Sequence, residues 1–387
     1  MGKQQLVDYL GSLARNTSRY CRQGYRQGRT RGPAREFTKR PIPFNKRRAL
    51  RRMPDREGSL RLVYALAGAL LWLHHPIAAG AQTVWEMTTE YPQGAMSGLG
   101  VTTFAQHVGR LSAGRLAIQT SFDAAKGIRS ADMLTALAAG RVQAGDAFAG
   151  ALEAEDAIFA LPSLPFLVTS IADARRLADL ARPYLAAALQ NKGARLLYLT
   201  PWPPTGIWSK VPVKTLSDLS DLSIRTYDRI SREVFASADA RAVSISFADA
   251  MPLLADGSIN AVLSSGDGDA GRKLWGYLPY FSDITYSLPL SVASVNQAAY
   301  DALAPELRDA VDTASRQTET GLWLALSSRL QQNHQRMREN GVTIDANPSP
   351  TVVAALQSGA AAAQQEWCAR SGPACERILG VFKARKP

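Results

Sequence analysis

The sequence predicts an α/β protein of two lobes braced by one long helix. Three observations carry that reading. Short apolar strand patterns alternate with amphipathic helical patterns from Thr83 to Ser264. A Pro/Trp/Gly-rich crossing, Pro201-Trp202-Pro203-Pro204-Thr205-Gly206, divides that alternation into two runs. A helical pattern then opens at Pro305 and runs to Asn340-Gly341. At 1.5 Å per residue it reaches roughly 50 Å, enough to span two lobes.

The elements follow in order. Thr83 to Met87 reads as a strand, followed by the polar loop Tyr91-Pro92-Gln93-Gly94. Residues 98–112 place Leu99, Phe104, Val108 and Leu111 at helical spacing. Leu116 to Thr120 alternates as a strand does. Ala131 to Ala139 is helical, with Gly140 as its C-terminal cap. A strand lies around Ala147-Phe148, and Ile158 to Phe166 ends in Leu164-Pro165-Phe166-Leu167. A helix over 171–189 and a strand over 194–199 lead into the crossing. In the second run, Leu222 to Arg225 is a strand, 229–237 a helix, Ala242 to Ile245 a strand, 247–255 a helix and 259–264 a strand. A turn-rich stretch ends near Tyr286. The expected partition is residues 82–205 with 290–328 in the first lobe, and 206–289 with 329–387 in the second.

The net charge of +12 is unevenly placed. Residues 1–52 hold 15 Lys/Arg against 2 Asp/Glu, so the remaining 335 residues sum to −1. A basic protein would suggest nucleic acid or an anionic membrane; here the basicity belongs to one segment. That segment reads either as a basic arm or as a leader outside the working protein, and the second reading is preferred. Met53 opens a new pattern: a charged start, the apolar run Leu62 to Leu73, then Ala79-Gly80-Ala81. This is the order of a secretory signal peptide, too short in its apolar part to span a bilayer. Translation is expected to begin at Met53 and cleavage to follow Ala81, leaving a soluble periplasmic chain of 306 residues. The pairs Arg47-Arg48 and Arg51-Arg52 lie too far from the apolar run for twin-arginine export. Cys368 and Cys375 are expected to pair in an oxidising compartment. So short a ring contributes at most about 2.5 kcal/mol.

Catalytic patterns are scarce. Gly266-Asp267-Gly268-Asp269-Ala270-Gly271 fits G-x-G-x-x-G, but Asp267 and Asp269 would repel a pyrophosphate. No G-x-S-x-G is present, and His107 and His334 have no evident Ser or Cys partner. Neither a metal-ligand set nor a cofactor site is visible, so the chain is not expected to be an enzyme. Binding is the stronger reading. Arg225 ends an apolar strand beside the crossing, where a guanidinium is placed to grip a carboxylate. Trp208 and Tyr227 flank it in sequence and suit an apolar ligand body.

These residues carry a family resemblance. Phe104-Ala105 with Gly114-Arg115-Leu116, the Leu161-Pro162…Leu164-Pro165-Phe166-Leu167 run, Asp218-Leu219 through Ile224-Arg225, Gly257 with Asn260-Ala261, and Val295-Asn296…Leu303 occur in a characteristic order. The chain resembles the periplasmic solute-binding subunits of TRAP transporters, the DctP-type family, over nearly all of residues 82–387. The resemblance implies a two-lobed periplasmic binding protein fold that closes over an organic acid. It implies that Arg225 holds the ligand carboxylate. A second family arginine falls near Thr205 and the binding asparagine at Ser264. Those replacements favour a monocarboxylate with an apolar or aromatic body. Ser264-Ser265-Gly266 matches one branch of the family, and Asp228 stands where that branch has Asn. The candidate ligand-binding set is Arg225, Trp208, Tyr227, Ser264, Ser265, Phe166 and Tyr91. The expected partners are a small organic acid and the TRAP membrane permease subunits, with no nucleic acid and a monomeric state. A sensory protein docking on a receptor kinase, or a periplasmic enzyme on the same frame, are the alternatives.

Overall fold

The computed structural model describes residues 82–384. The expected leader over 1–52 and the expected signal peptide over 53–81 lie outside the described residues. The first run comprises β1 (Thr83–Thr89), α1 (Met96–Leu111), β2 (Leu116–Ser121), α2 (Met133–Ala138), β3 (Ala144–Phe148), α3 (Ile171–Gln190) and β4 (Ala194–Pro201). The second comprises β5 (Gly206–Ser209), α4 (Leu216–Ser220), β6 (Ser223–Thr226), α5 (Arg229–Ala236), β7 (Arg241–Ser244), α6 (Phe247–Ala255), β8 (Ala261–Ser264), α7 (Gly268–Trp275) and β9 (Tyr280–Ser282). Then follow β10 (Leu290–Asn296), α8 (Gln297–Asp301), α9 (Pro305–Glu339), β11 (Thr343–Asp345) and α10 (Pro350–Ser371).

Among the described residues the strands form two sheets, in the orders β2-β1-β3-β10-β4 and β11-β9-β5-β8-β6-β7. The local reasons are plain in the sequence. In β1, Trp85 and Met87 point into the core while Val84 is exposed, the period of two that a half-buried strand requires. Every residue of β3 is buried, as expected of a strand in the middle of a layered sheet. The turn-rich stretch before Tyr286 contains α7 and β9, both too short for their patterns to stand out.

The chain crosses between the sheets at 202–205, leaving β4 for β5, and returns at 283–289, leaving β9 for β10. The two crossings are hydrogen-bonded to each other. Trp202 N–H donates to Pro289 O at 3.0 Å, Thr205 N–H to Ser287 O at 2.9 Å, and Tyr286 N–H to Thr205 O at 2.9 Å. The prolines of the first crossing cost this ribbon few donors, because the paired amides belong to Trp202 and Thr205. Helix α9 runs its full predicted length and packs on α1 and β4 at one end and on α7 and β11 at the other.

The end of the chain departs from the expected partition, which assigned all of 329–387 to the second lobe. Helix α10 packs on α5, yet Trp367 is fully buried with its indole N–H on Ala157 O at 2.7 Å. Beyond Ser371 the chain lies against α3, where Arg176 sits 4.4 Å over the ring of Phe382. Cys368 and Cys375 are bonded to one another and close the turn between these two parts.

A buried polar network holds the centre of the first sheet. Asp146 on β3 is fully buried and accepts hydrogen bonds from the Ser97 hydroxyl and from Thr200 Oγ1, the latter at 3.0 Å. Burial outweighs these bonds and pushes its carboxyl up to about 6. A carboxyl raised in the native state binds more protons there than in the unfolded chain. Its stability contribution is therefore present below the unfolded value near 4 and is lost as pH rises through about 6. That loss is about 3 kcal/mol. Asp146→Asn should remove this slope. Urea unfolding at pH 4 and pH 7 should show the variant gaining on the parent by about 2 kcal/mol between the two, since part of the effect lies below pH 4.

Candidate functional site

The site is built from the strand that carries Arg225. Ahead of β6, Thr215 and Asp218 cap α4 reciprocally: Asp218 N–H donates to Thr215 Oγ1 at 3.1 Å, and Thr215 N–H to Asp218 Oδ2 at 2.9 Å. Leu219 is buried under that turn. Asn260 fixes the entry to β6 by accepting Ser223 N–H at 2.8 Å. These contacts set the register in which β6 lies parallel between β7 and β8. Arg225 then leaves near the carboxyl end of parallel strands, where open α/β sheets place ligands.

Arg225 is 4% exposed. Its Nε–H donates to Ile245 O at 2.9 Å, and an Nη1–H lies 3.4 Å from Leu263 O. The guanidinium sits 5.9 Å from the ring centroid of Phe247. Among the described residues it makes no ion pair, and two carbonyl contacts leave most of its five donors free. Burial pulls its pKa down, opposed by the negative field of the Glu90 and Asp228 carboxylates.

Two spaces meet at this cation. A chamber of about 360 Å³ reaches toward Arg129, Glu153 and Arg370, and a recess of about 30 Å³ lies against the crossings, beside Trp202, Thr205 and Pro289. Tyr91, Phe148, Arg225 and Tyr227 line both. Tyr91 and Phe148 come from the first lobe and Arg225 and Tyr227 from the second, so the cavity is interlobar. The rings of Phe148 and Tyr227 are 5.0 Å apart, and Tyr91 packs on Trp202 at 4.7 Å. The Tyr227 hydroxyl lies 2.7 Å from Ser287 Oγ and 3.4 Å from Thr205 Oγ1, tying the site to both crossings. Burial pushes its phenol well above the usual tyrosine range.

The structure brings together Arg225, Tyr227, Tyr91, Ser264 and Ser265. The two serines line the recess, and Ser264 Oγ accepts Gly266 N–H at 3.1 Å. It does not bring Trp208 or Phe166 to the cavity. Trp208 is fully buried on β5 against Phe281, 5.3 Å between rings, and fills the space under Gly266. Nearness to Arg225 in sequence does not put it on the same face. Phe166, at φ +54°, donates its N–H to Tyr286 O at 2.7 Å and packs edge-on to Tyr286, bracing a crossing. Asp228 lines the chamber, and its Oδ1 caps α5 by accepting Ser231 N–H at 2.7 Å. His107 faces Thr318 and His334 faces Phe281 and Asp283, both half-buried.

Sequence reasoning missed the groups that close the cleft. Glu90 and Phe148 line the chamber, each at the end of a first-lobe strand. Arg129–Asp249 at 2.6 Å, Lys273–Asp123 at 2.7 Å and Arg229–Glu153 at 2.7 Å join the two lobes. The G-x-G-x-x-G segment is the most consequential. Asp267 is fully buried and accepts Met96 N–H at 2.6 Å, Arg329 Nε–H at 2.6 Å and Asn333 Nδ2–H at 2.8 Å. It caps α1, which has no side-chain cap of its own, from the opposite lobe, and pairs there with the bracing helix. Gly268, at φ +55°, passes so close to Gly94 that a β-carbon would stand 2.1 Å from its carbonyl oxygen.

This arrangement defines a class: a two-lobed binding protein with an unpaired cation in its cleft. The chain belongs to the DctP family, described as bacterial extracellular solute-binding protein, family 7, which matches residues 87–369. Solved structures agree. DctP7 of Bordetella pertussis, an extracytoplasmic solute receptor binding pyroglutamic acid, is 28% identical, with TM-score 0.74 over 78% of this chain and 99% of that one. DctP6 of the same organism, also binding pyroglutamic acid, is 26% identical with TM-score 0.74 over 78% and 100%. A marine metagenome TRAP solute-binding protein at 24% identity, TM-score 0.74 over 78% and 99%, shares the fold. No curated protein matches the chain. Among the described residues no helix is long and apolar enough to cross a membrane.

Removing one partner of a buried, hydrogen-bonded ion pair costs about 3–5 kcal/mol. Asp267→Ala should therefore lose about 3 kcal/mol or more of unfolding free energy in urea, because it strands Arg329 and uncaps α1 together.

Proposed function

We propose that this protein is the extracytoplasmic solute receptor of a TRAP transporter, capturing a small organic monocarboxylate and presenting it, unaltered, to a membrane permease. The observation that carries this reading is Arg225: a buried guanidinium on an interlobar cavity, without an ion pair among the described residues. A bidentate contact from such a group is charged and directional. Tyr91, Phe148, Tyr227 and Phe247 around it suit an apolar ligand body, and Thr205 supplies no second cation. Two relatives above 25% identity bind pyroglutamic acid, an acid of the proposed kind. The family's extracellular description and the signal-peptide pattern ahead of Gln82 support export to the periplasm.

Calorimetry with pyroglutamate and other small carboxylates tests it. Arg225→Ala should lose about 2 kcal/mol or more of binding free energy, and Arg225→Lys should fail to restore it, because an ammonium lacks the planar fork. Equal affinity in parent and both variants would sink the proposal.

A further inference from the structure

Cys368 and Cys375 close a ring that contains Arg370, and Arg370 lines the chamber. So short a ring restricts the backbone that presents this side chain. Its Nη1–H donates to Glu153 Oε1. Arg229, at the start of α5, donates to the same oxygen through Nη2–H at 2.7 Å and Nε–H at 3.1 Å. Glu153 is 6% exposed, and its Oε2 is buried without a hydrogen bond among the described residues. Two guanidiniums thus share one oxygen of one buried carboxylate at the chamber wall.

The two cations belong to different lobes. Arg229 rises from the second, whereas the part of α10 that carries Arg370 is anchored to the first. Trp367 is fully buried with its indole N–H on Ala157 O, and Gln364 Nε2–H donates to Pro165 O at 2.8 Å. Past the ring, the buried side chains of Ile378, Leu379 and Phe382 belong to the segment that lies on α3. Separation of the lobes would therefore draw Arg229 away from Glu153 and leave Arg370 behind with it.

That changes the cost of opening. A buried carboxylate stripped of its sole cation is left with an uncompensated charge. With Arg370 in place, Glu153 keeps a charge-assisted bond when Arg229 departs. Arg229 in turn keeps Glu233 of its own helix, 2.5 Å away. While the lobes are together, two like charges crowd one oxygen, which weakens the bond that crosses between them. Each half of the latch has a companion on its own side, so breaking it strands neither.

We infer that Arg370 is a positioning residue for ligand release: held on the first lobe by its disulfide ring, it competes with Arg229 for Glu153 and keeps the interlobar latch reversible. The inference rests on the receptor reading for its ligand, while closure of the lobes can be followed without one.

The test pairs stopped-flow binding of pyroglutamate with paramagnetic relaxation between the lobes of the ligand-free protein, a readout sensitive to minor closed populations. The spin label is carried on a non-natural keto residue of the second lobe, so the disulfide is untouched. Glu153→Gln weakens the latch and should raise the dissociation rate by about threefold or more. Arg370→Ala should act in the opposite sense, slowing dissociation by about threefold and raising the closed population of the ligand-free protein in proportion. Cys368→Ser with Cys375→Ser frees the ring; it should slow dissociation in the same sense and add nothing to Arg370→Ala. In the Glu153→Gln background Arg370→Ala should have no effect on the rate. A merely structural loss would not slow release, and melting temperatures check that each variant is folded. Folded Arg370→Ala that releases pyroglutamate as fast as the parent, or faster, would overturn the inference and leave the receptor reading standing. If the parent binds neither pyroglutamate nor any other small carboxylate, the receptor reading falls, and a closed population in Arg370→Ala no higher than the parent's would then overturn the latch as well.

Discussion

A guanidinium taken out of water without a carboxylate partner is among the more expensive things a small protein can hold, and the second lobe is organised around bearing that cost. Arg225 is tolerated because two backbone carbonyls, Ile245 O and Leu263 O, face it, and because an aromatic ring lies beneath it. Both carbonyls lie close to the carboxyl ends of the strands flanking β6, so the position of the charge follows from strand register. The capped turn at Thr215–Asp218 and the Asn260 contact that precede it are the devices that fix that register. Sequence motif and binding chemistry are therefore one construction: the Asp-Leu pair has no need to touch a ligand in order to place the arginine.

Much of the architecture was legible because it depends on local rules. Helix α6 and the start of α9 fall where periodicity, caps and Pro305 put them, and α3 ends one residue later than read. The cation could be read because a charged residue ending an apolar strand is anomalous whatever surrounds it. Glu90, Phe148 and Asp267 could not. Their partners lie tens to hundreds of positions away, as with the 171 residues separating Asp267 from Met96, and no local pattern marks such a meeting. The Gly266–Gly271 segment carried a signal that pointed to the wrong chemistry. Its glycines are needed for close backbone approach, as in a phosphate loop, but here the approach is to the Gly94 carbonyl. Trp208 failed for a geometric reason: closeness along the chain says nothing of which side of a sheet an indole takes.

The contacts across the cleft differ in kind. Lys273–Asp123 and Arg129–Asp249 join largely exposed side chains, and exposed pairs contribute little and weaken with salt. Asp267 with Arg329, Asn333 and the Met96 amide is dry and fully connected. The first kind is suited to forming and breaking, the second to persisting. Glu153 stands between them, shared by Arg229 of the second lobe and Arg370 of α10.

The ribbon formed by the two hydrogen-bonded crossings has a mechanical meaning. Tyr227 is tethered to it through Thr205 and Ser287, so the floor of the cavity lies nearly on the line about which the halves would turn. In any such rotation, travel grows with distance from the pivot. The charged rim at Arg129 and Asp249 would swing through a wide arc while the seat beneath the arginine scarcely moved. The protein can thus offer a wide mouth to solution and still keep a finished grip at its throat.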